Sequence, residues 1–169
     1  MIGVNRLPKE TFGIVRVDKG IVYLFDKWVL GELKDMLMEG TGDSVVVHYK
    51  VTNGKDSVYA GSILEFVKDA DTFARLIMLN EDIRNAMADK LRNLGLEGKW
   101  HVTGAYYSVG VVSVYFVRDL NVPNMFARVK FDIISDGIEL SRAQIVAKPK
   151  SVEILKDIAD TIETLGVIK

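Results

Sequence analysis

Phe126, Arg128 and Lys130 occupy alternate positions of one ten-residue segment, and no other residues in the chain are better suited to hold a ligand. A ring can stack on an unpaired base while neighbouring cations meet phosphate, the combination used to hold single-stranded nucleic acid. The three share a side because Met125, Ala127, Val129, Phe131 and Ile133 take the other one. A period of two over ten residues predicts a strand with one buried and one wet face.

The flanking segments extend that wet face. With Trp100, Val102 and Tyr106 directed inward, Lys99, His101, Thr103 and Tyr107 point outward. With Val112, Val114 and Phe116 in the core, Ser113 and Tyr115 lie outside. The expected platform is therefore Phe126, Tyr107 and Tyr115 for stacking, with Arg128, Lys130, Lys99 and His101 beside them. Mixed rings and charges on a sheet face equally suit packing against another subunit or against the N-terminal half.

Other chemistry finds little support. Without cysteine there is no disulfide, thiolate nucleophile or thiolate metal site. His48 and His101 are the only imidazoles, and no H-x-x-x-H or H-E-x-x-H spacing occurs; a hydrolytic zinc needs about three protein ligands. Gly95-Leu96-Glu97-Gly98-Lys99 has the wrong spacing for a phosphate-binding loop, and it runs from helix to strand. Neither G-x-G-x-x-G nor G-x-S-x-G is present. No cofactor, metal or catalytic residue is assigned from the sequence. A small enzyme would need a histidine brought beside carboxylates by the fold.

The elements that must position the platform are short. Apolar runs at 11–17 and 21–25 flank Asp18-Lys19-Gly20, a hairpin signal. Asp26 then fits an N-cap, and Trp28, Val29, Leu30, Leu33, Met36 and Leu37 are spaced for a helix over Trp28–Glu39 closed by Gly40. That helix would be apolar nearly all round, as at a core or a subunit interface. A second hairpin is expected over 45–51 and 58–66, with Asn53-Gly54 as a type I′ turn. Helices follow from Asp69 or Asp71 and from Asn80, the latter ending at Gly95. Strands are expected at 99–108, 111–118, 125–134 and 138–147, the last with a phase slip from Ile138 and Leu140 to Ala143 and Ile145 that requires a bulge. Ser151 caps a terminal helix whose apolar stripe is Ile154, Leu155, Ile158, Ile162 and Leu165. Its Glu153, Asp157, Asp160 and Glu163 form a wet face.

The expected fold is α+β: antiparallel sheet built from successive hairpins and covered on one face by helices. Residues 1–169 form one unit, with 1–95 and 96–169 as candidate halves and a pseudo-repeat of four strands plus helix if Trp28–Glu39 is set aside.

Composition narrows the partners. Hydrophobic residues make up 49% and charged residues 27%, which is globular. Net charge is −1 and the pI about 6.1, which disfavours duplex DNA and weakens, without excluding, a partner held by stacking such as a single strand. The longest nearly apolar stretch, 109–117, is too short to cross a bilayer and reads as a buried strand. No basic–apolar leader is evident and Ile2 excludes myristoylation, so the expected compartment is the cytosol. Lack of cysteine and a single glutamine suit a thermophilic protein, although seven asparagines oppose that. The resulting expectation is a non-catalytic protein that binds single-stranded DNA or RNA on its sheet and forms a homo-oligomer. The competing one is a structural or assembly protein, such as a complex subunit or virion component, with the same face buried between chains.

Overall fold

Each strand pairs with its neighbour in sequence, so short apolar runs and tight turns generate two antiparallel meanders. The computed structural model describes residues 10–11, 14–40, 46–94, 99–120 and 122–147. The first sheet contains, in spatial order, β1 (Glu10–Thr11), β2 (Val15–Asp18), β3 (Ile21–Leu24), β4 (Trp28–Glu39), β5 (Val46–Thr52) and β6 (Ser57–Ala60). Helices α1 (Glu65–Lys68), α2 (Ala70–Ile77) and α3 (Glu81–Arg92) follow. The second sheet is β7 (His101–Ser108), β8 (Val111–Asp119), β9 (Met125–Ile134) and β10 (Gly137–Ala147), ordered β10-β9-β8-β7. The fold is α+β, as expected, and is built on two antiparallel sheets. Among the described residues the first sheet has six strands and the second four.

The region Trp28–Glu39, expected as a helix, is the longest strand. Register shifts opposite Val22/Tyr23 and between Asp35 and Leu37 insert extra residues into it. Each bulge advances the side-chain phase by one, so a strand of period two acquires apolar spacings of two, three and four that imitate a helix. Trp28, Leu30 and Leu33 are buried while Val29, Glu32 and Lys34 face outward, which removes the all-round apolar helix that suggested a subunit interface. Gly31 marks the strand: a Cβ there would lie 2.6 Å from the Thr52 carbonyl oxygen. Asp26 is no helix cap. With Phe25 it forms the β3–β4 turn at positive φ (53° and 56°), and its carboxylate pairs with Arg16.

Lys19-Gly20 forms the expected β2–β3 turn, with φ of 52° and 82° as type I′ geometry requires. Asn53-Gly54 does not make a two-residue turn. Thr52 pairs with Ser57, and Asn53 Oδ1 accepts from the Lys55 and Asp56 amides at 2.9 and 2.7 Å. Asparagine's side chain thereby nucleates a wider loop.

Helix α2 starts at Asp69, whose carboxylate accepts from Thr72 N at 2.8 Å. Helix α3 starts at Asn80, whose Oδ1 accepts from Ile83 N at 2.8 Å; both follow the N-cap rule. The Gly95 stop and the terminal helix from Ser151 lie outside the described residues. Phe73, Leu76, Ile77, Ile83 and Met87 share one continuous apolar cluster with Leu24, Leu30 and Val51 of the first sheet and Val114, Phe116 and Phe131 of the second. Phe116 and Phe131 meet edge to face at 5.6 Å, a preferred ring geometry. Among the described residues no helix is long and apolar enough to cross a membrane.

Candidate nucleic-acid interface

Strand β9 alternates buried and half-buried residues along its whole length. Phe126, Arg128, Lys130 and Asp132 share its outward side, while Ala127, Val129, Phe131 and Ile133 are buried. On β8 the outward residues are Ser113, Tyr115 and Val117, opposite Asp132, Lys130 and Arg128. The sheet's other face meets the helices through the shared core.

Two bulges decide what the outer strands add. In β7 the register shifts between Val102 and Gly104, so Gly104 pairs with Tyr115 and Tyr106 with Ser113. Thr103 is the extra residue, and beyond it the parity inverts. Tyr106 therefore stands outward, 57% exposed, and its ring meets Tyr115 edge to face at 5.9 Å. Tyr107, expected on the platform, pairs with the core position Val112 and sits beside Val67 and Lys68 on the helix side. Gly104 itself is a signal for the bulge, because a glycine inside a strand commonly marks one or a close approach. A Cβ there would lie 3.3 Å from Ala70 Cβ and 3.4 Å from the Tyr106 ring.

In β10 the shift falls between Leu140 and Arg142, where the apolar phase slips in the sequence. Ser141 is extra, and its hydroxyl donates to the Lys130 carbonyl at 3.1 Å. Arg142 consequently pairs with Lys130, and Gln144 with Arg128. An unbulged strand would have directed Arg142 toward the core. Neither Arg142 nor Gln144 was anticipated at this face, although the slip alone suffices to place them.

The result is a cleft of about 310 Å³ whose lining comes only from the four strands. Tyr106 and Tyr115 form one wall, Thr103 and Gly104 lie beside them, and Arg128, Lys130, Arg142 and Gln144 form the other wall. Thr103 Oγ1 donates to the Tyr115 carbonyl at 3.3 Å. Lys130 Nζ lies 3.6 Å from Asp132, which also accepts from Ser113 Oγ at 3.0 Å. Lys130 is thus partly compensated. Among the described residues Arg128 and Arg142 join no ion pair, so two guanidinium groups face the cleft with their charge available. Guanidinium suits bidentate contact with phosphate oxygens.

The remaining expected residues are dispersed. Phe126 is half-buried at one end of the face, between Asp119 and Val146 in the register. His101 is exposed and pairs with Val117, outside the lining of the cleft. Lys99 precedes β7 and lines a groove against α3 with Trp100 and Phe116, so it does not join the platform. His48 lies on β5 of the other sheet. Among the described residues no group of three or more histidine or acidic side chains is placed to hold a metal ion.

No protein-family model, curated protein or solved structure matches this chain.

Proposed function

We propose that this chain is a cytosolic, non-catalytic protein that binds single-stranded DNA or RNA on the outward face of its second sheet. One observation carries the reading: Arg128, Lys130 and Arg142 face the Tyr106–Tyr115 pair across a single strand-lined cleft. Cations on one side would take successive phosphates while Tyr106 offers a ring to an unstacked base. A duplex has no free base face to offer, and the near-neutral chain lacks the broad positive field that duplex binders use.

Fluorescence anisotropy with labelled oligonucleotides at two salt concentrations tests this. Three neutralised phosphates give a log–log salt slope of about −2 for a single strand. Absence of binding at low salt discards the reading, and equal affinity for duplex and single strand removes the stacking role.

Self-association is a second reading, favoured by the exposed Tyr106, Tyr107 and Val109 clustered around one hairpin end. Sedimentation mass separates the two. A dimer that dissociates when a charge is inserted at Tyr115 assigns the face to subunit contact.

A further inference from the structure

Two buried N–H groups lack partners among the described residues, and both belong to side chains that line one groove. Arg84 Nε and Trp100 Nε1 are shielded from solvent and make no hydrogen bond among the described residues. Both residues line a depression of about 430 Å³ between α3 and the second sheet, on the side away from the tyrosine cleft; ligand sites commonly span about 300–1,000 Å³. Met87, Leu91 and Phe116 supply an apolar wall, and Lys99 stands at the margin. Among the described residues neither Arg84 nor Lys99 belongs to an ion pair.

A buried donor left unbonded is costly and rare, so each such group calls for an explanation. Here the missing partner must be an acceptor, because guanidinium and indole nitrogens only donate. It should also be anionic, since Arg84 and Lys99 carry charge with no ion-pair partner among the described residues, and it should bring an apolar body to cover the methionine, leucine and phenylalanine side chains. We propose that the groove binds a small amphipathic carboxylate, its chain against Met87, Leu91 and Phe116, the half-buried Arg84 and Trp100 side chains turning their shielded N–H groups to its oxygens. Two oxygens match two unbonded donors, and a single negative charge suits a mostly apolar site. A phosphate dianion would carry more charge into apolar surroundings than the groove compensates.

The test uses the full chain, 15N-labelled, titrated with hexanoate, octanoate, decanoate, octanol, acetate and inorganic phosphate. The indole N–H signal of Trp100, assigned by its loss in Trp100→Phe, reports on the site directly. Octanoate should shift it saturably, and affinity should rise about fourfold per methylene across the series. Octanol should bind roughly tenfold or more weakly, given what a charge-assisted hydrogen bond contributes. Arg84→Gln should weaken octanoate by a similar factor and leave octanol unchanged; calorimetry on Trp100→Phe should show a parallel loss. Equal affinity for octanol and octanoate overturns the proposal, as does an indole signal that octanoate leaves in place. Acetate or phosphate binding as tightly as octanoate would also overturn it, by showing a site for adventitious ions only. An octanoate affinity unchanged in both Arg84→Gln and Trp100→Phe would place the ligand elsewhere.

Discussion

Val109 should destabilise the protein it belongs to, and replacing it with asparagine should make the chain more stable. Val109 and Gly110 form the two-residue turn between β7 and β8, with φ of 41° and 79°. Positive φ at both centres matches type I′, for which Asn-Gly is the favoured pair. A β-branched residue there is strained, because its Cβ crowds the backbone; the left-handed region costs an ordinary L-residue about 1–2 kcal/mol. Nothing offsets that cost, since Val109 is 92% exposed and contributes no burial. Val109→Asn relieves most of the strain and should add about 1 kcal/mol, or about 2–4 °C in Tm for a chain of this size. Val109→Gly relieves it too, but enlarges the freedom of the unfolded chain at a cost of about 0.5–1 kcal/mol. The expected order is therefore Asn above Gly above Val. Thermal unfolding followed by circular dichroism, with urea m-values as a check on compactness, measures it. An unchanged or lowered Tm for Val109→Asn at constant m refutes the strain argument.

Asn80 joins α3 to the first sheet: besides capping the helix, its Nδ2 donates to the Val29 carbonyl at 2.8 Å. Asn80→Ala removes both bonds from a buried site and should cost about 2 kcal/mol by urea unfolding, whereas a loss near zero would mean that water replaces the side chain. Asp69 is held below its ordinary pKa of 3.8 chiefly by the Thr72 backbone N–H at its carboxylate. A depressed folded pKa contributes stability above the unfolded value and loses it as pH falls through the folded one. Wild type should thus exceed Asp69→Asn in Tm at neutral pH, with the gap closing in acid below 3.8; a constant gap contradicts the assignment. On the sheet, Tyr106→Ala should weaken oligonucleotide binding by the about 1–3 kcal/mol that one stacked base is worth, while Tyr107→Ala leaves it unchanged, and anisotropy titrations that reverse this order would place the β7 register in doubt. Arg142→Ala should lower the salt slope by about 0.7, and an unaltered slope would remove Arg142 from phosphate contact.

Local chemistry was legible wherever one residue acts on its immediate neighbours. Lys19-Gly20 turns the chain, Asp69 and Asn80 start helices, and strict alternation in Met125–Ile134 directs Phe126, Arg128 and Lys130 to one side. Each of these depends on backbone sterics or on a hydrogen bond spanning three residues, so ten positions of sequence suffice. The α+β class follows from the same signals added together. Apart from the phase slip that announces the β10 bulge, what sequence periodicity could not supply was strand registration. Four bulges, two in the pairings of β4 and one each in those of β7 and β10, shift the phase of the side chains beyond them. They make Trp28–Glu39 a strand, exchange Tyr107 for Tyr106, and bring Arg142 and Gln144 to the cleft. A bulge forms because a partner strand fixes which carbonyl each N–H reaches, and that partner lies many residues away. The outward face was therefore written into the order of the amino acids, but its membership was settled only when four strands were laid side by side.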